Sequence, residues 1–166
     1  FSEEIIWEPS RQADPDYHYR MIPSALRKAA AKLPRVDAIG GSAAGVYVNN
    51  RVRVASLFRS ISAERYDEVR DLLLRIGEEM GVPLVIVNDG EVAALAGSMS
   101  LGVTGVLGVA LGSSEAAGYV NTEGNITGWL NELAFAPIDY SPDAPIDEWS
   151  GDRGCGVSYL SQQGVF

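Results

Sequence analysis

The stretch Leu84-Val85-Ile86-Val87-Asn88-Asp89-Gly90-Glu91-Val92-Ala93-Ala94-Leu95-Ala96-Gly97 decides how this chain is read. Leu84 to Val87 is an unbroken apolar run, with Gly81 and Pro83 before it and Asp89-Gly90 after it. Such a run reads as a strand buried on both faces, as in a parallel sheet. The period then changes, and Val92, Leu95 and Met99 stand at helical spacing among Ala and Gly. An Asn-Asp pair therefore falls where the carboxyl end of a strand meets the start of a helix, the place where open α/β folds bind ligands. Asp or Asn beside Gly is also the commonest helix cap or tight turn, so the pair by itself leaves both readings open.

The chain of 166 residues and 17.8 kDa fits one domain, or two small lobes, with a proper core. With 46% hydrophobic and 21% charged residues, it has the composition of an ordinary folded protein. A net charge of −9 argues against nucleic acid or an anionic membrane as partner, since both need clustered Lys and Arg. No apolar run is long enough to span a bilayer and no signal peptide is visible, so a cytoplasmic location is expected. The first residue is Phe1 rather than Met, which leads us to expect a preceding segment. Cys155 is the only cysteine, which excludes an internal disulfide and suits a reducing compartment. With His18 the only histidine, no Cys/His zinc cage can be assembled. The apolar fraction permits a homo-oligomer.

Upstream, Ile5-Ile6-Trp7 reads as a short strand, and residues 10–18 as a polar loop that leaves His18 in solvent. Pro23 to Leu33 has a helical stripe (Leu26, Ala29, Ala30, Leu33), with Pro23 suited to a first helical position. Val36 to Ile39 follows as a buried strand, and strand–helix–strand order implies a mostly parallel sheet. Gly40-Gly41-Ser42-Ala43-Ala44-Gly45 invites a phosphate-loop reading but has Val46 where the Lys should stand. Its glycines instead let backbone approach a ligand or a neighbouring strand closely. Val46-Tyr47-Val48, Asn49-Asn50 and the alternation through Val54 predict a hairpin. Ser62 to Met80 is the clearest helix, with Gly81 and Pro83 as its stop.

Downstream, Gly105 to Leu111 is a second apolar strand that runs into Gly112-Ser113-Ser114-Glu115-Ala116-Ala117-Gly118. The turn amides of such a hairpin can hold an oxyanion, and the same stretch is equally an ordinary hairpin with Ser in its turn. Ile126 to Leu130 reads as a further strand. The Pro- and Asp-rich segment from Pro137 to Trp149 reads as loop, and Gly154 to Phe166 as the beginning of a helix.

In this order, the segments resemble the ROK family of bacterial sugar kinases and repressors, within the actin-like ATP-dependent kinase superfamily. Val87-Asn88-Asp89-Gly90-Glu91-Val92-Ala93-Ala94 resembles the family's Glu-Asn-Asp-Ala segment, and Leu111 to Gly118 stands at its second phosphate loop. Gly40 to Gly45 stands at its Gly/Pro turn, Asn131-Glu132-Leu133-Ala134-Phe135 at Gly-Glu-Ile-Gly-His, and Gly151 to Val157 at the end of its zinc motif. The resemblance runs from about Val36 to Phe166. It implies an α/β, actin-like ATPase (ribonuclease H-like) fold, incomplete here, of mixed sheets with flanking helices. Residues 1–101 would be the remainder of the N-terminal lobe and 102–166 the start of the C-terminal one.

The resemblance also implies roles. Asp89 is the general base that takes a proton from a sugar hydroxyl. Asn88, Glu132 and Ser42 contact the sugar, and Gly112, Ser113 and Ser114 face the phosphates of ATP with its Mg2+. The departures are equally specific: Phe135 replaces a sugar- and zinc-binding His, and Val157 replaces a sugar-contacting Glu. Glu148 and Ser150 fall where two zinc cysteines would be, so neither zinc nor another metal site is expected. Ser114 and Ala116 replace phosphate-loop glycines, and the amino-terminal Asp-x-Gly-Gly-Thr loop and the adenosine segment are absent. The expectation is a fragment of a divergent sugar kinase, inactive by itself. The alternative is a non-catalytic sugar-binding or regulatory protein on the same fold.

Overall fold

Asp14 and Pro15 set the first helix. The Asp14 carboxylate accepts the Asp16 amide at 3.2 Å, and Pro15 takes the first helical position, where its missing N–H leaves no gap. Helix α1 runs Pro15–Ala30, so Pro23 lies inside it rather than opening it. The earlier Asp-Pro pair supplies both start signals, and Pro23 removes only one internal hydrogen bond. His18 is consequently buried, at 0% exposure, rather than solvent-facing. Its Nε2 donates to the Gln12 carbonyl at 2.9 Å, and its ring packs among Trp7, Tyr17 and Phe58. Residues 5–7 form no strand; Trp7 serves as an aromatic cover for α1.

The computed structural model describes residues 2–165; Phe1, and Phe166 at the end of the expected last helix, lie outside them. Strand β1, Ile39–Ala43, contains Gly40-Gly41-Ser42, which therefore lie within a strand rather than in a turn after it. A Cβ on Gly41 would stand 2.6 Å from Ile86 Cδ1, so that glycine serves the close approach of a neighbouring strand. The predicted hairpin is present as β2, Gly45–Val48, and β3, Arg51–Ala55. Asn49 and Asn50 adopt φ of 52° and 61°, the left-handed pair of a type I′ turn. The expected helix over 62–80 breaks at Asp71 (φ −102°, ψ 12°) into α2, Asp67–Arg70, and α3, Leu72–Met80. Gly81, at φ 66°, closes α3 as predicted.

Strand β4, Leu84–Asn88, pairs in parallel with β1, from Ile39↔Leu84 to Ala43↔Asn88. The core of this unit joins Val52, Ala55, Phe58, Val69, Leu72 and Ile76, with Leu84 packed against it. Val85, on the other face of β4, is 57% exposed, so this strand is covered on one face and not on both.

Helix α4, Asp89–Leu101, packs on an antiparallel hairpin of β5, Val106–Leu111, and β6, Glu115–Val120, paired from Val106↔Val120 to Leu111↔Glu115. The face it buries is Gly90, Glu91, Ala94 and Ser98, whereas Met99, from the expected apolar stripe, is 75% exposed. Glycines explain the choice. A Cβ on Gly118 would stand 2.4 Å from Glu91 Cα, and one on Gly108 would stand 2.7 Å from Ala94 Cα. Only small residues let helix and hairpin backbones meet this closely. The chain divides between Asn88 and Asp89 into two compact units.

Residues 126–130 contribute a single bridge, Val120↔Ile126, rather than a strand. Residues 137–149 are loop as expected, within a segment closed by the bridges Pro137↔Cys155 and Ile146↔Arg153. Asp147 accepts the Trp149 and Ser150 amides at 3.0 and 2.7 Å, and Arg153 donates to the Ala144 carbonyl at 2.6 Å. The last described residues make two short 3₁₀ turns, Gly156–Ser158 and Gln162–Gly164, where a helix was expected. Among the described residues no helix is long and apolar enough to cross a membrane.

Candidate active site

The parallel register of β1 and β4 places Ser42 beside Val87 and Ala43 beside Asn88, at the carboxyl ends of both strands. Ser42 is exposed. Asn88 is half-buried, and its Nδ2 donates to the Gly45 carbonyl at 2.9 Å, fixing the side chain against the start of β2. The next residue, Asp89, is exposed and begins α4, where an anionic side chain is favoured by the helix dipole.

In the second unit Glu132 lies just ahead of a 3₁₀ turn, Leu133–Phe135, that packs on β6. Its pKa is raised, first by burial and then by the negative charges of Asp89 and Glu91. The structure therefore brings Asp89 and Glu132 into electrostatic range and adds Glu91, buried in the first turn of α4. Glu91 is a site neighbour that the sequence reading does not single out. Its signal was its position, two residues past Asp89 on the same first helical turn. Three acids in one place disfavour full ionisation, so one of them is held toward its neutral form. In such a pair the exposed carboxylate can accept a proton from a hydroxyl while the neutral carboxyl donates a hydrogen bond.

Ser113 and Ser114 are exposed at the tip of the β5–β6 hairpin. The Gly112 amide donates to the Ser114 carbonyl at 2.9 Å, and the Gly112 carbonyl accepts from the Gln162 amide at 2.9 Å. Gly112 is thus engaged within the turn, and the two serines form the part of it that meets solvent. Cys155 is fully buried, with its Sγ 3.8 Å from Ser150 Oγ. Phe135 is 38% exposed. Among the described residues no group of three or more His, Cys, Asp or Glu is arranged to hold a metal.

The sequence matches no protein-family model and no curated protein. Solved structures do match. A ROK family transcriptional regulator, a homologue of the E. coli MLC protein, superposes with a TM-score of 0.69 and 22% identity, over 91% of this chain and 38% of that one. The ROK hexokinase from Thermus thermophilus gives 0.63 and 21%, over 91% and 49%. Glucokinase from Parabacteroides distasonis gives 0.67 and 17%, over 98% and 48%. The chain thus spans under half the length of each of these structures. Over the part that these residues span, the chain has the actin-like, ROK-type fold of the sugar kinases and their relatives.

Proposed function

We propose that this chain is part of an ATP-dependent carbohydrate kinase of ROK type, with Asp89 as the general base. The observation that carries this reading is the placement of Asp89. It follows Asn88 directly at the end of β4, begins α4, and acts electrostatically on the half-buried Glu132. In this reading Asp89 takes the proton of a sugar hydroxyl as that oxygen attacks the terminal phosphorus of ATP, and ADP leaves. Asn88, Glu132 and Ser42 hold the sugar, and Ser113, Ser114 and the Gly112 backbone lie toward the phosphates. Mg2+ would accompany the nucleotide and neutralise charge on the transferring phosphoryl group. Residues 1–101 then belong to the N-terminal lobe and 102–166 to the C-terminal one, in a longer cytoplasmic polypeptide. The test is ATP turnover by that longer polypeptide against a panel of sugars. Sugar-dependent turnover that Asp89→Asn abolishes supports the kinase, and turnover undiminished by the substitution removes Asp89 from its role.

One observation favours a second reading, a non-catalytic sugar-binding or regulatory protein. The Gly112 amide is turned into its own hairpin turn instead of outward, and one of the matching structures is a transcriptional regulator. Sugar binding by calorimetry with no turnover would select this reading.

A further inference from the structure

Glu115 is a buried acid that no part of the proposed chemistry uses. It is the first residue of β6 and pairs with Leu111 across the hairpin, so these two residues flank the Gly112–Ser114 turn. Glu115 is 6% exposed, and its Oε2 is buried with no hydrogen-bond partner. That oxygen is pressed against backbone. A Cβ on Gly156 would stand 2.6 Å from it and 2.9 Å from the Leu133 carbonyl oxygen. A carboxylate buried here would lack a donor, and the neutral carboxyl is the form that burial without a donor costs less.

The charged groups on the surrounding elements offer no relief. Glu132, beside Leu133, is itself acidic, Cys155, beside Gly156, faces Ser150, and the Tyr159 hydroxyl is turned to Asp139. Burial pushes the Glu115 carboxyl up, with no charged neighbour contributing.

We propose that Glu115 is a proton-operated latch on the Gly112–Ser114 turn. In its neutral form the carboxyl docks against Gly156 and holds the root of the turn, while the Gln162 amide holds its start at Gly112. When the proton passes to solvent, the carboxylate leaves this site to be hydrated and the turn loosens. Because the acid is shifted upward on folding, stability is lost as pH rises from the ordinary glutamate range through the raised folded value. The latch does not depend on the kinase reading, since it is tested without substrate.

The experiment compares the native protein with Glu115→Gln, a neutral isostere, from about pH 5 to about pH 8, by thermal melting and amide exchange. The Tm of the native protein is expected to fall by about 5 °C relative to the variant across that range. The Gly112 and Gln162 amides, which are bonded within and against the turn, are expected to lose protection in the native protein only. Parallel pH profiles for the two proteins would overturn the proposal. Failure of Glu115→Gln to fold would overturn it too, since the neutral side chain is the state that the packing selects.

Discussion

The side chain of Asn50 is hydrogen-bonded to Ile86 as a neighbouring strand would be. The Ile86 amide donates to Asn50 Oδ1 at 3.0 Å, and Asn50 Nδ2 donates to the Leu84 carbonyl at 2.8 Å. One amide group thus satisfies both a donor and an acceptor on the edge of β4 that β1 does not cover. It also ties the β2–β3 turn to the strand that ends at Asn88. Asn50→Ala removes both bonds and puts at φ 61° a residue that tolerates the left-handed region less well than Asn, which should cost about 2–4 kcal/mol. Asn50→Gly keeps the backbone conformation and should cost about 1–3 kcal/mol from the bonds alone. Urea unfolding measures both, and a Gly variant as stable as the native chain would show that the pair contributes nothing.

Much of this unit was legible because its signals are local. Asn49-Asn50 specified a type I′ hairpin, Gly81 a left-handed helix end, and the apolar run before Asn88 a parallel strand. The failures came where tertiary contacts chose between two local signals. Both Pro15 and Pro23 can open a helix, and the Asp14 cap decided for the first. On α4 the apolar stripe predicted the buried face, but the glycines of the hairpin drew Gly90, Ala94 and Ser98 inward, leaving Val92 and Leu95 half-buried and Met99 exposed. The candidate site shows the same division. Asn88 and Asp89 were readable at a strand end, whereas Glu91 and Glu115 acquired their properties from burial, which no local pattern records.

The small-residue seam makes opposite predictions for two glycines. Gly118→Ala places a methyl 2.4 Å from Glu91 Cα and 2.5 Å from the Gly90 carbonyl oxygen, both backbone. Backbone cannot rotate away, so a loss of about 3 kcal/mol is expected. Gly97→Ala lies within α4 with nothing within 4 Å of the new Cβ. It should stabilise the chain by about 0.5–1 kcal/mol through reduced freedom of the unfolded state. Equal melting temperatures for the two variants would mean that α4 does not sit on the hairpin as described.

Tyr159 donates to Asp139 Oδ2 at 2.5 Å, and Ser141 donates to Oδ1 through both its hydroxyl and its amide. These bonds, those of the Ser141 side chain first, hold the Asp139 carboxyl at about 2, and the Tyr159 phenol is pushed up to about 12. Tyr159→Phe should raise the Asp139 pKa part of the way to its ordinary value, and Ser141→Ala should raise it further. Carboxyl carbon shifts in an acid titration report both. A depressed acid contributes stability above its unfolded value that is lost as pH falls through its folded value. Tyr159→Phe should therefore meet acid unfolding at a higher pH than the native chain.

Glu132 tests whether the proposed base and its neighbour form one electrostatic unit. Its pKa is raised by burial first, then by Asp89 and Glu91. Neutralising Asp89 as Asn should lower the Glu132 pKa without restoring its ordinary value, because burial and Glu91 remain. The sign for stability follows from the raised folded value. The native chain loses stability as pH rises from the ordinary glutamate value, about 4.3, through the raised one. Asp89→Asn should therefore lose less over that window and be the more stable protein at neutral pH. A site that gains stability when its base is removed is holding like charges together for a purpose other than folding. Carbon-13 titration of Glu132 in both proteins decides the matter. A Glu132 pKa unmoved by Asp89→Asn would separate the two carboxylates and leave Asp89 without the neighbour on which the kinase reading rests.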